Sequence, residues 1–240
     1  MHVNNMNYFI KKLILVCLIC LGTYTAKAQL GYEYAQYDLG VSGGLNKVYG
    51  DAQTQVQTKS IHVNFNYNVS PFLNYVLEGQ TGDLKGGDAL TTTSGREFTN
   101  NYKAVIFRAQ VQAGEFIDYS RGSIANAFKN LYVSTGVGYV INDITSINRA
   151  SVLMPGFTTD GLDNSSHIFI PARVGYEFKV FNQYNQPSFK IDIGYQYNFV
   201  MGDNLDGFAA GIKNDAFSQI TLGFKFALGG ITSYSKKISY

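Results

Sequence analysis

A closed antiparallel β-barrel that crosses a lipid bilayer is the fold this sequence predicts, and three observations predict it. The first is alternation: from 189 to 199, Phe189, Ile191, Ile193, Tyr195, Tyr197 and Phe199 alternate with Lys190, Asp192, Gly194, Gln196 and Asn198, the period of a strand. The second is the contrast between the two faces, one large and apolar throughout, the other charged or amide-bearing. The stretch holds eleven residues, matching the ~9–11 that a tilted strand needs to span a membrane. Hydrocarbon offers no partner to an unpaired backbone group, so such a strand survives only in a closed barrel. The third is composition: 240 residues include 18 Tyr, 17 Phe and 25 Gly, no Trp, and only 15% charged residues. That fits a membrane barrel, although a secreted sandwich can share it.

The chain opens with an export signal at 1–28. Lys11 and Lys12 precede an apolar run from Leu13 to Leu21, and Ala26-Lys27-Ala28 offers a cleavage point before Gln29. The run is far shorter than the ~20 residues of a spanning helix. Both cysteines, Cys17 and Cys20, leave with it. The mature chain then excludes disulfides, thiol catalysis and cysteine-ligated zinc. Net charge is +2 with Lys and Arg scattered, so no nucleic-acid stripe is present.

Eight strands follow in order. The first, 37–45, turns Tyr37, Leu39, Val41 and Leu45 outward and Asp38 inward. The second, 61–69, alternates Ile61, Val63, Phe65, Tyr67 and Val69 with His62 and three asparagines. Ser70-Pro71 makes a tight turn, since proline cannot continue a ladder. The third, 72–80, faces Leu73, Tyr75 and Leu77 outward and Asn74, Glu78 and Gln80 inward. The fourth, 103–114, places Arg108, Gln110 and Gln112 inside. A connector at 117–129 has room for a short helix. The fifth strand is 131–141. The sixth, 167–180, turns Arg173 and Glu177 inward, and Pro171 predicts a bulge or break in its ladder. The seventh is the opening stretch, and the eighth, 218–228, faces Ile220, Leu222, Phe224 and Phe226 outward.

Short turns alternate with loops at 46–57, 81–100, 142–166 and 201–214, the pattern of an up-and-down outer-membrane barrel. An even strand number puts both termini in the periplasm and the long loops outside. The organisation expected is a signal peptide at 1–28, the barrel at 29–228 and a periplasmic tail at 229–240.

These segments resemble small eight-stranded outer-membrane barrels of the outer-membrane protein A and X kind. The stretches QLGYEYAQYDLG, GREFTNNYKA, PSFKIDIGYQYNF and QITLGFKF are similar to barrels of the Bacteroidota. The resemblance implies a Gram-negative outer membrane, contact with its lipid, and delivery by the barrel-insertion machinery. That machinery would read an aromatic residue closing the last strand, here Phe226. In this chain a tail follows it, and the length leaves no room for a cell-wall-binding domain.

Chemistry-bearing residues are few. His62 and His167 both point inward near the outer ends of their strands, a barrel-mouth pair in one ring, to be weighed with Asp160 or Asp163 as a metal or base site. Polar filling of the mouth is the plainer reading, since no third ligand stands at a diagnostic spacing. DNLDG at 203–207 and TDGLDN at 159–164 look like calcium loops without the closing Glu, so turn chemistry explains them. Ser165, Ser166 and His167 are adjacent, which puts them on alternate faces and not in a catalytic line. No catalytic, cofactor-binding or metal residue is assigned, and no cofactor is expected. The inward charges Asp38, Glu78, Glu177 and Asp192 balance Arg108, Arg173, Lys190 and Lys225, and Asp38 with Lys225 is the pair expected to bridge the closing seam. The function expected is a non-enzymatic surface scaffold whose loops contact an extracellular protein or glycan. A narrow channel or a translocation component is the alternative, and a lipid-modifying enzyme a further one.

Overall fold

The computed structural model describes residues 31–235 except 53, 89–91, 93, 121, 151, 153–155 and 210–213. The export signal therefore lies outside the described residues. Nine strands form: β1 (Gly31–Tyr49), β2 (Gln55–Val56), β3 (Thr58–Asn68), β4 (Leu73–Gly87), β5 (Glu97–Gln112), β6 (Leu131–Asn148), β7 (Asn164–Phe181), β8 (Pro187–Val200) and β9 (Ala216–Ser235). Every neighbouring pair is antiparallel; β9 pairs with β1, β4 with β5, and the two-residue β2 merely extends the edge of β4. The other eight strands close the ring. One short helix, α1 (Ser123–Phe128), sits between β5 and β6, and no helix among the described residues is long and apolar enough to cross a membrane.

Side-chain direction follows the alternation. Ile61, Val63, Phe65, Val105, Phe107, Ile193, Ile220, Leu222 and Phe224 are exposed, while Asp38, His62, Glu78, Arg108 and Gln196 are buried. The exposed apolar band encircles the ring, an outer surface that water would penalise and hydrocarbon accepts. Opposite Pro171 the β6–β7 ladder lapses between Thr135–Ala172 and Gly138–Phe169 without a change of register. A break, not a bulge, accommodates the missing N–H.

Strand lengths depart from expectation. β4 and β5 absorb most of 81–100, β6 and β7 take up both ends of 142–166, and β9 runs past Leu228 to Ser235, paired with Gly31–Ala35 of β1. The tail boundary at 229 is therefore corrected for 229–235, and 236–240 lie outside the described residues. The reason is that alternation marks only the part of a strand in lipid. Beyond the band the outward face turns polar while the inward face mixes apolar residues such as Leu84 and Phe98 with polar ones such as Asn100, so the ladder continues without a clean alternation.

Stepping across the ring from Tyr37 through Tyr67, Tyr75, Ala109, Thr135, Ala172, Tyr197 and Ser218 returns to β1 at Lys47, a shear of 10 residues. With ~3.3 Å per residue and ~4.8 Å between strands, that shear tilts the strands by about 40°. A ring of this size leaves an interior about wide enough for side chains to fill.

Candidate functional site

The lumen is stacked in three layers between the near rim, where β1 begins and β9 ends, and the far rim. The near layer is aromatic and cationic. Tyr32 stands 5.6 Å from Phe72 and 5.5 Å from Phe181, and Lys179 lies 4.8 Å over Phe72. The Lys179 ammonium also donates to the Pro71 carbonyl at 2.6 Å and to Gln112 at 2.7 Å.

The middle layer is the charge network. Lys190 meets Asp38 at 2.6 Å, Arg108 meets Glu78 at 2.8 Å, and Arg173 meets Asp192 at 2.5 Å. Lys225 bridges Glu177 at 2.5 Å and Asp192 at 3.0 Å. All eight inward charges are thus engaged, but the pair expected at the seam is not formed. Register puts Lys225 opposite Gly40 and Asp38 opposite Ala227. The Lys225 stem lies on Gly40, where an added Cβ would come within 2.8 Å of its Cγ, and the ammonium continues across the lumen. A long side chain finds the partner at its own height, and the shear decides which residue that is.

His62 belongs to the upper part of this layer. Its Nε2 is 2.8 Å from Ser60 Oγ and its Nδ1 is 3.4 Å from Glu78 Oε1. A serine, a histidine and an acid therefore do meet, though not the ones weighed from sequence; the signal was Ser60 two positions before His62 on one strand face. The arrangement is enclosed. Ser60 donates to Asn46 Oδ1 at 2.9 Å, all three side chains are buried, and Glu78 is held by Arg108 and Gln80. What it does chemically is satisfy buried polar groups. His62 and His167 share a row through Gln80, Ala104 and Val140, but across four strands the tilted row climbs ~12 Å. The single ring expected for the two histidines is therefore corrected. His167 lies near the far rim against Gly202. Phe226 is an exposed band residue opposite Phe189 and Leu39.

The far layer was not read from sequence. Phe217, Phe169, Ile106, Leu84, Phe98 and Val48 form a buried apolar plug, and the β8–β9 loop closes it by inserting Leu205 and Phe208. This loop bridges its neighbours. Asn100 donates to the Leu205 carbonyl at 2.6 Å, Arg149 to the Gly207 carbonyl at 3.0 Å, and the Asp51 amide to Asp206 at 2.6 Å. The two calcium-like loops dock on each other here: a Cβ on Gly161 would fall 2.0 Å from the Gly207 carbonyl oxygen. Their carboxylates do not converge, since Asp163 pairs with Arg149 at 2.7 Å, and the described residues hold no cluster of three metal-ligating side chains. Asp206 and Asp215 face each other across Gly50 and accept the amides of Phe208 at 3.0 Å and Leu205 at 2.8 Å. Burial pushes the Asp206 carboxyl up to about 6, and burial together with the neighbouring Asp206 pushes Asp215 up to about 8. The available signal for this cap was Leu205 and Phe208 inside an otherwise polar loop.

No protein-family model and no curated protein matches the sequence. Among solved structures, Neisserial surface protein A is similar at 13% identity and a TM-score of 0.49, covering 81% of this chain and 98% of that one. Ail, the attachment invasion locus protein of Yersinia pestis in complex with the heparin analogue sucrose octasulfate, gives 12%, 0.45, 80% and 98%. The outer membrane protein OprG from Pseudomonas aeruginosa gives 12%, 0.38, 83% and 99%.

Proposed function

We propose that this chain is a non-enzymatic outer-membrane barrel of a Gram-negative envelope, with both termini periplasmic, acting as a membrane-anchored scaffold whose far rim contacts an extracellular protein or glycan. The observation that carries the reading is the filled lumen inside an apolar band. Among the described residues, aromatic, ionic and apolar layers fill it in turn, and Ser60 and His62 are buried between them, which supports a reading without solute passage or catalysis. What remains for function is the outer surface. Its far rim is loop-borne on a rigid wall, where recognition usually resides.

Purified protein in planar bilayers is expected to give no steady conductance, and its folded form to migrate differently from the heated form on a gel. Steady single-channel currents would overturn the scaffold reading in favour of the channel. On intact cells, protease or an impermeant label is expected to reach Leu162 and its loop; protection there would overturn the orientation.

A further inference from the structure

The connector between β5 and β6 carries exposed apolar residues that no contact among the described residues covers. Phe116 is 76% exposed, Ile124 77% and Phe128 55%. Ile124 and Phe128 are four residues apart on α1 and so share one side of it. The helix is also fixed in place. Tyr176 lies on the outward face of β7 opposite Leu131, and its hydroxyl donates to the Ala127 carbonyl at 2.6 Å. The end of α1 is thereby tied to the outside of the wall, not beneath the lumen, where Tyr119 instead packs 5.4 Å from Phe72. Immediately after the helix, Leu131 and Val133 begin the exposed apolar band of β6. The exposed helix face thus ends three residues before the exposed apolar band of β6 begins, on a helix tied to the outward face of β7.

We infer that α1 with Phe116 is an interfacial anchor lying in the bilayer leaflet on the side of the termini, its partner being the lipid surface itself. The inference rests on the membrane-barrel reading above. An amphipathic segment of this kind beds its apolar side chains ~5–10 Å into the boundary between headgroups and acyl chains. Adjacency to the band is what selects lipid over a protein partner. The anchor would fix the barrel's depth and rotation in the leaflet at a rim where the other two connections are short turns.

The sequence contains no tryptophan, so one introduced indole is a unique probe. Ile124→Trp and Phe128→Trp, each checked for the folded gel band and reconstituted in vesicles, are expected to lose most of their emission when the lipid acyl chains are brominated. They should also resist aqueous iodide. Ile193→Trp in the band serves as the lipid reference and Leu162→Trp at the far rim as the aqueous one. If positions 124 and 128 respond to iodide as position 162 does and ignore bromolipid, the anchor is wrong. If they are shielded in native envelope vesicles but open to iodide after reconstitution, a periplasmic protein covers this face and the lipid assignment is overturned. Loss of bromolipid quenching at 193 as well would remove the membrane-barrel reading on which the anchor rests.

Discussion

Asp206 and Asp215 are buried carboxylates that accept backbone amides, with the acids Asp51 and Asp203 nearby raising them beyond what burial does. An open loop would titrate near the ordinary 3.8, whereas the closed cap holds them at about 6 and about 8. The cap's advantage is therefore complete below the ordinary value and is lost as pH rises through the two raised ones. Protection of the Leu205 and Phe208 amides against hydrogen exchange, corrected for intrinsic rates, should fall progressively from the ordinary 3.8 up to about 8 and level off above it. Asp215→Asn keeps an acceptor for Leu205 and should flatten that profile; an unchanged profile would refute the linkage. In the middle layer, Asp38→Ala strands Lys190 without its carboxylate and is expected to cost about 3–5 kcal/mol, because an uncompensated buried charge remains. A charge swap of Asp38 with Lys190 should recover part of that in thermal unfolding, whereas a swap with Lys225 should not.

Among the elements, the strands behave as two materials in series. Within the band, an outward residue meets lipid, so Ile193→Arg should lower folding stability by ~2–4 kcal/mol in lipid, measured by denaturant titration. Above the band, β4 to β7 continue with a polar outer face and an inner face that supplies part of the plug, and loops meet on top of them. Gly161 sits at the contact where its loop approaches Gly207, with φ +157 and a carbonyl oxygen 2.0 Å from any added Cβ. Gly161→Ala should undock the two loops, exposing Phe208 and speeding proteolysis at the far rim, with the heat-shifted gel band retained. Retained protease resistance would show that this close approach is not what holds the cap.

For the molecule as a whole, the three layers occupy the lumen at successive heights. Leu205→Ala with Phe208→Ala removes two fully buried side chains from the plug, at ~2–5 kcal/mol each by cavity formation. The ionic and aromatic layers below stay in place. The double variant should therefore melt at a lower temperature yet still conduct no steady current. A current in that variant alone would identify the cap as a gate.

Alternation of apolar and polar residues determined the eight strands, their order and which way each side chain points, because lipid outside and a packed lumen inside impose opposite demands at every second residue. The sequence reading put eight charges on the inner face and did not include Lys179, whose ammonium also lies inside the ring. It did not determine their pairing, the distance between His62 and His167, or the meeting of Ser60, His62 and Glu78. Those depend on the shear of the closed ring, a property of all eight registers together that no local stretch encodes. Strand ends beyond the band were equally hidden, because there the outward face is polar and the inward face mixes Leu84 and Phe98 with Asn100, so the contrast between faces is lost. The cap was decided by tertiary structure alone: Leu205 and Phe208 lie in a loop of Gly, Asp and Asn, and only the closed barrel supplies the apolar mouth that draws them in.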